Sequence, residues 1–272
     1  MMNYFKIKKA VILGVLFLTT LNILADTTRN PTGPWYMQDY DESSWRIDGL
    51  VGLSAQPTFP GSDETETGFA PFVRYMVKDK YNNRYAIYPL GISGSFDLSE
   101  NLNFSLQLEY EAGGDGESAD FEGLDEIEDT IDGNFLFSYR WGSSYIYASL
   151  QPDVLGKGKG LVWFFGGGYD WQINESFALR TKLGLTGGDN THMDTEFNIT
   201  SAESAQTGLN AYDPEGGVKN IEFSVQVEYT HNKYWSLFSA TQLENYLGEA
   251  ADSPLSKSDV TVGTVFGVLF RY

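Results

Sequence analysis

The sequence predicts an all-β fold: a transmembrane, antiparallel, up-and-down β-barrel of ten or twelve strands, with short periplasmic turns and long extracellular loops. Three observations predict it. The chain ends in Val265-Phe-Gly-Val-Leu-Phe-Arg-Tyr272, where Phe266, Val268, Phe270 and Tyr272 alternate with Gly267, Leu269 and Arg271. A last strand that pairs with the first, and ends on an aromatic at the membrane–water boundary, suits an outer-membrane barrel. Period-two alternation of apolar and polar residues recurs along the chain, as in half-buried strands. From residue 98 onward, the connections between those segments alternate strictly between short and long.

The elements follow in order. Lys6, Lys8 and Lys9 precede an apolar run from Ala10 to Leu21. That pattern reads as a secretory signal over residues 1–25, cleaved after Ala25, and the run falls short of the ~20 apolar residues a spanning helix needs. Residues 26–44 form a periplasmic segment with Pro31, Pro34, Trp35 and Tyr36. The barrel occupies residues 45–272. Its strands read as Trp45–Ser54, Gly68–Val77, Arg84–Phe96, a segment from Leu102 to Tyr110, Ile131–Arg140, Ser144–Gln151, Leu161–Trp171, Phe177–Leu185, a segment from Ile221 to Tyr229, Trp235–Glu244 and Val260–Tyr272. Several approach the ~9–11 residues that a tilted strand needs to cross hydrocarbon.

Short connections lie at 98–101, 141–143, 172–176 and 231–234, and long ones at 56–68, 111–130, 152–158, 186–218 and 245–258. Tight periplasmic turns and long outer loops produce this alternation, whereas a soluble sandwich has no reason to. The count of segments is odd, but a barrel with both ends in the periplasm needs an even one. The fault lies between residues 56 and 97. Either one segment there does not cross, or a short extra crossing is present.

Charge and composition narrow the function. The formal charge of −19 becomes −22 once the three signal lysines leave, because residues 1–25 contain no acid. Such a charge argues against nucleic acid as a partner. The absence of cysteine excludes a lipoprotein signal and disulfides. With seventeen tyrosines, eighteen phenylalanines and six tryptophans, the chain has material for aromatic girdles at both interfaces. The expected location is the outer membrane of a Gram-negative bacterium. Outer-membrane lipid, lipopolysaccharide and the barrel-assembly machinery are its expected partners. Phe266, Gly267, Phe270 and Tyr272 mark the C-terminal assembly strand.

Chemistry-bearing clusters are few. Ten acids and no base lie between Glu111 and Asp132. Asp115, Glu117, Asp120, Glu122, Asp125 and Glu126 are the candidate divalent-cation ligands of that run, although hard cations need six or more oxygens in defined geometry. A solvated acidic loop is the competing reading. His192 falls in a long loop and His231 in a short turn, on opposite membrane faces, and neither neighbours a strand serine suited to hydrolysis. No catalytic residue and no cofactor is expected, and the chain reads as non-enzymatic. Arg46, Asp48, Glu109, Arg140, Asp170, Arg180, Lys182, Glu222, Glu228 and Glu244 face inward by alternation, and their mixed signs favour salt bridges across a plugged lumen. Loop 186–218 is long enough to fold inward and narrow it. Gly166-Gly-Gly168 marks a bend or a close approach.

Three loop segments carry a more specific signal: Phe59-Pro-Gly-Ser-Asp63, Ser201 to Asp213 followed by Gly216 to Asn220, and Leu247 to Leu255. Together, in this order and ahead of an aromatic-ended strand, they resemble the MipA/OmpV family of outer-membrane proteins. The resemblance covers essentially the whole mature chain. It implies a scaffold that brings a lytic transglycosylase together with a murein synthase, in peptidoglycan synthesis and remodelling. A narrow solute channel, or a surface adhesin or osmotic-response protein, are the alternatives. The family offers no catalytic residues to carry over. Its motif positions here are Pro60, Gly61, Ser62, Asp63, Gly208, Tyr212, Asp213, Ala251, Asp252, Ser253 and Pro254, which shape loops or contact a ligand.

Overall fold

The computed structural model describes residues 44–113, 124–125 and 127–272. Residues 1–43, which hold the expected signal sequence and most of the expected periplasmic segment, lie outside the described residues, as do Asp115, Glu117, Asp120, Glu122 and Glu126 of the acidic run. Twelve antiparallel strands close into one barrel, each paired with its sequence neighbours. They are β1 (Trp45–Pro57), β2 (Thr65–Lys78), β3 (Arg84–Tyr88), β4 (Gly91–Asp97), β5 (Leu102–Glu111), β6 (Thr130–Trp141), β7 (Ser144–Pro152), β8 (Leu161–Gln172), β9 (Phe177–Gly188), β10 (Gly217–Thr230), β11 (Trp235–Tyr246) and β12 (Val260–Arg271). β12 closes on β1 through eight residue pairs from Asp48↔Arg271 to Ala55↔Thr264. No helix of the described residues is long and apolar enough to cross a membrane.

The odd strand count resolves in favour of twelve. The segment read as one strand, Arg84–Phe96, is a hairpin of two short strands, β3 and β4, paired from Tyr88↔Gly91 to Arg84↔Ser95. The physical reason is the turn Pro89-Leu90. Proline cannot donate to a ladder and so ends a strand. Gly91 is required just after it, because a Cβ there would meet the Tyr88 hydroxyl at 2.9 Å. Ile87 and Ile92 both face outward, so the alternation changes phase at the turn, and the surrounding apolar run conceals that change in the sequence.

Alternation sorts each strand into two faces. On β1, Arg46, Asp48, Leu50, Gly52, Ser54 and Gln56 are buried, whereas Val51 and Leu53 are exposed. The outward set along the middle of the strands is mainly apolar, as a lipid-facing belt must be, with polar exposed residues such as Thr65, Asp97 and Gln172 at strand ends. Aromatic side chains ring its periplasmic edge, among them Trp45, Tyr75, Trp141, Trp171, Trp235 and Tyr272. Trp45 and Tyr272, from the first and last strands, lie 5.7 Å apart between ring centroids. The end of the chain is thereby fixed both by pairing and by its interfacial ring.

Among the described residues, helices appear only in the outer loops. Loop 189–216 carries α1 (Asn190–Phe197) and α2 (Ser201–Thr207), and loop 247–259 carries α3 (Gly248–Asp252). α2 begins with a reciprocal capping box between Thr200 and Glu203 and ends at Gly208, whose φ is 77°. That Thr-x-x-Glu spacing is visible in the sequence and is the local signal for a helix inside the loop.

Candidate functional site

Three layers fill the barrel from the periplasmic end outward. The first is charged. Asp48 is held between Arg46 and Arg74, each at 2.7 Å, and Asp170 between Arg140 at 2.7 Å and Arg180 at 2.6 Å. Arg84 pairs with Asp97 at 2.6 Å, and Arg271 pairs with Glu228. Six arginines thus face four acids around the barrel, so these pairs carry a net positive charge in a strongly acidic chain. Buried charges persist only when paired in this way.

A second layer is apolar and one-sided. Leu50, Ala70, Phe72, Tyr88, Phe238, Ala240 and Val265 form one buried cluster on β1, β2, β11, β12 and the tip of the β3–β4 hairpin, with Leu90 and Leu269 packed against it. Alternation alone does not reveal this layer, because Leu50 and Phe238 break the polar rule of the inward face. Across the lumen, Tyr145 and Tyr147 lie over Gly166 and Gly168. A Cβ at Gly166 would meet the Leu183 carbonyl at 2.5 Å and the Tyr147 hydroxyl at 2.8 Å. The glycine run therefore admits two tyrosines into the lumen. Tyr147 donates to Glu222 at 3.0 Å, and Lys182 pairs with Glu222 at 2.9 Å.

The outermost layer is a cap built by the loops. Met193 and Phe197 of α1 pack with Tyr246 and with Ala250 of α3. Beneath α1, Lys219 Nζ lies 3.1 Å from His192 Nε2 and 2.9 Å from Glu196 Oε2. His192 Nδ1 is 3.2 Å from the Lys159 carbonyl oxygen. A carbonyl only accepts, so Nδ1 carries the imidazole proton and Nε2 accepts from the Lys219 ammonium. Burial pushes the His192 pKa down from its ordinary value, and Lys219 adds to the effect against the pull of Glu196. Burial alone would raise Glu196, but Lys219 and His192 outweigh it and hold the carboxyl at about 2. Lys159 Nζ continues the chain to Glu111 at 3.2 Å and to the Ala112 carbonyl. His192 and His231 do sit at opposite ends of the barrel, and His192 is a buried strut of the cap.

The motif residues gather in the same cap. Gly61, with φ 78°, accepts at its carbonyl from the Lys257 and Ser258 amides, both at 2.8 Å. Ser62 is buried and its hydroxyl shares a 2.7 Å hydrogen bond with Thr58, while Pro60 and Asp63 are exposed. Tyr212 donates to the Glu249 carboxylate at 2.6 Å, joining loop 189–216 to α3. Ser253, buried, donates to the Phe197 carbonyl at 2.8 Å. Ala251 and Pro254 are half-buried, and Gly208, Asp213 and Asp252 are exposed. Asp125 donates its amide to Glu203 at 2.9 Å. Among the described residues no group of three or more acids, histidines or cysteines is placed to hold a metal ion. Phe266, Phe270 and Tyr272 lie on the outer face of β12, and Gly267 faces inward against β1.

Residues 49–272 match the family described as MltA-interacting protein MipA. The chain belongs to that family. No curated protein matches the sequence. Among solved structures the MipA-family chain is similar to the translocator domain of the autotransporter NalP from Neisseria meningitidis, with 9% identity, a TM-score of 0.46, and 94% of this chain and 99% of that one covered. It is also similar to the Pseudomonas putida toluene transporter TodX, with 8% identity, a TM-score of 0.41, and coverage of 88% and 91%. A third is the Vibrio cholerae outer-membrane protein OmpT, with 7% identity, a TM-score of 0.38, and coverage of 86% and 100%. At these values nothing about cargo passes between the proteins. Family, closed antiparallel barrel, lipid-facing belt and aromatic girdle together place the protein in the outer membrane of a Gram-negative bacterium.

Proposed function

We propose that this barrel is a non-enzymatic interaction protein, a membrane anchor for enzymes that synthesise and remodel murein. The family description, a protein that interacts with MltA, is the observation that carries the reading. The filled lumen favours it over a channel. Side chains lining the barrel, such as Asp48, Leu50, Asp170, Glu222 and Val265, are each at most 4% exposed, which leaves no water-filled path of porin width along them. Porins need ~16 strands for such a path.

A partner in the periplasm must meet the turns at that end. The β2–β3 turn is the most built of them. Asp79 accepts from the Tyr81 and Asn83 amides at 2.8 and 3.0 Å and from the Asn83 side chain at 2.9 Å. Asn82 adopts φ 65°, and Tyr81 projects with 71% of its surface exposed. A rigid turn presenting an exposed tyrosine suits a protein contact, because tyrosine is among the residues that anchor interfaces. The test is in-cell photocrosslinking from position 81, with position 155 in an outer loop as the control. The reading expects a murein hydrolase or synthase to be captured from position 81 alone. Capture of only assembly factors, together with a steady single-channel conductance, would replace it with a channel.

A further inference from the structure

The closing seam of the barrel is laddered along only part of its length. β1 and β12 pair from Asp48↔Arg271 as far as Ala55↔Thr264. Beyond that pair, among the described residues, Gln56 and Pro57 continue β1 against β2 alone, and residues 260–263 continue β12 against β11 alone. Pro57 has no N–H to donate, which gives the ladder a chemical end. The ladders on either side run on to Pro57↔Thr65 and to Asn245↔Val260. The outer end of the seam thus lacks the backbone pairing that holds its neighbours.

Past this gap the two strands meet again through their loops. Gly61 is buried, and its carbonyl accepts from the Lys257 and Ser258 amides, each at 2.8 Å. The β1–β2 loop is built to present that carbonyl. The Thr58 amide donates to the Glu64 carbonyl at 3.2 Å and the Ser62 amide to the Phe59 carbonyl at 3.1 Å. On the other side, Ser256 donates its amide to the Ser253 carbonyl at 3.0 Å and its hydroxyl to the Ala250 carbonyl at 2.5 Å. The receiving turn is thereby tied to α3. Lys257 Nζ lies 5.4 Å from the centre of the Phe59 ring, a cation–π distance. The two loops touch closely: a Cβ at Gly61 would meet Ser256 Oγ at 2.8 Å. The motif segment 59–63 therefore bonds across the seam to the turn that the motif segment 247–255 leads into.

We propose that this contact is a latch on the closing seam of the barrel. Its two loops adjoin the first and last strands, so it forms only once β12 has closed on β1. It lies beyond the last ladder pair and holds shut the end that pairing leaves open. Opening between β1 and β12 starts at this outer end, when the Gly61 carbonyl lets go of its two amides. The proposal is independent of the murein reading.

Hydrogen exchange of the full-length protein in phospholipid nanodiscs tests it. Gly61→Ala places a side chain at φ 78° and against Ser256. It should speed exchange within residues 49–57 and 258–266 about tenfold, with β6 and β7 keeping their wild-type rates. Gly208→Ala is the control, because Gly208 has φ 77° in another loop and nothing within 4 Å of its Cβ position. It should leave the seam unchanged. A covalent latch should act in the opposite direction. The chain has no cysteine, and a Cβ at position 61 would lie 3.1 Å from Ser256 Cβ, close to the ~3.5–4.5 Å that a disulfide spans. Gly61→Cys with Ser256→Cys should expose the seam when reduced and protect it beyond wild type when oxidised. That pair also carries the test should Gly61→Ala fail to fold. The latch is overturned if Gly61→Ala moves seam exchange no more than Gly208→Ala does, or if β6 and β7 accelerate equally. Oxidation of the cysteine pair without added protection of the seam would overturn it too.

Discussion

Lys219 Nζ stands 3.1 Å from His192 Nε2 under helix α1, so a lysine ammonium fills the position that a proton on that nitrogen would need. Lys219, Glu196, Lys159 and Glu111 are the charged groups around the ring. Because the docked state holds His192 below its ordinary 6.5, the undocked state binds the proton more readily. Cap stability is thus fully present above about pH 6.5. As pH drops from there toward the lowered pKa, it falls by about 1.4 kcal/mol per pH unit. Glu196, held at about 2, stays ionised throughout this window and so does not titrate with it. Protection factors for amide exchange over residues 190–197, corrected for the intrinsic pH dependence of exchange, should fall as pH drops below about 6.5. His192→Gln should remove that pH dependence. Equal pH profiles for the two proteins would show that His192 is not the titrating group.

Removal of the central acid at the periplasmic end should be far more damaging than removal of a surface acid. Asp170 is 2% exposed at its side chain and serves two arginines at once, whereas Glu128 and Lys157 form a pair exposed at 62% and 42%. Asp170→Asn strands Arg140 and Arg180 as neighbouring cations and should cost about 3–5 kcal/mol. Glu128→Gln should cost about 0–1 kcal/mol. Urea unfolding of the purified barrel, followed by heat-modifiable gel mobility, measures both. Equal midpoints for the two variants would contradict the lumen network.

The barrel is legible because its signals are local. Alternation, connection lengths and the aromatic end each need only a few residues, and inward-facing Arg46, Asp48, Asp170 and Glu222 follow from parity alone. The β3–β4 hairpin is hidden because Ile87, Tyr88, Leu90 and Ile92 read as one apolar run, and its phase change depends on a turn at Pro89. The cap is hidden for a different reason. Tyr212 with Glu249, Ser253 with Phe197, and Gly61 with Lys257 join residues far apart in sequence, so no window of the chain contains both partners. The motif segments are visible one by one, but that they form one surface is a property of the closed barrel.

Closure of the barrel depends on backbone proximity at one glycine. A Cβ at Gly267 would meet the Val51 carbonyl at 2.5 Å and Gly52 Cα at 2.8 Å, so β12 and β1 approach too closely for any side chain there. Gly267→Val should block the β1–β12 ladder and leave little folded barrel in the outer membrane. Val268→Leu, on the lipid face of the same strand, should assemble normally, because its side chain meets only hydrocarbon. Quantifying the heat-modifiable form in membranes separates the two outcomes, and normal assembly of Gly267→Val would refute the close approach.

Ser253 and Tyr212 provide the last comparison, because they tie the same cap with different degrees of burial. Ser253 is 2% exposed and donates to the Phe197 carbonyl, which sits at the end of α1. Ser253→Ala leaves a buried carbonyl without that donor and should cost about 1–3 kcal/mol. Tyr212 is more exposed, so in Tyr212→Phe water can replace the hydroxyl at Glu249, and the cost should be nearer about 0.5–1.5 kcal/mol. Both losses fall on loop docking and not on the barrel, since neither residue contributes to the strand ladder. Limited proteolysis within residues 189–216 should therefore accelerate more for Ser253→Ala than for Tyr212→Phe, with the urea midpoint of the barrel unchanged in both. A lowered midpoint in either variant would mean that the cap and the barrel unfold as one unit, and that the loops bearing the family motifs stabilise the whole protein.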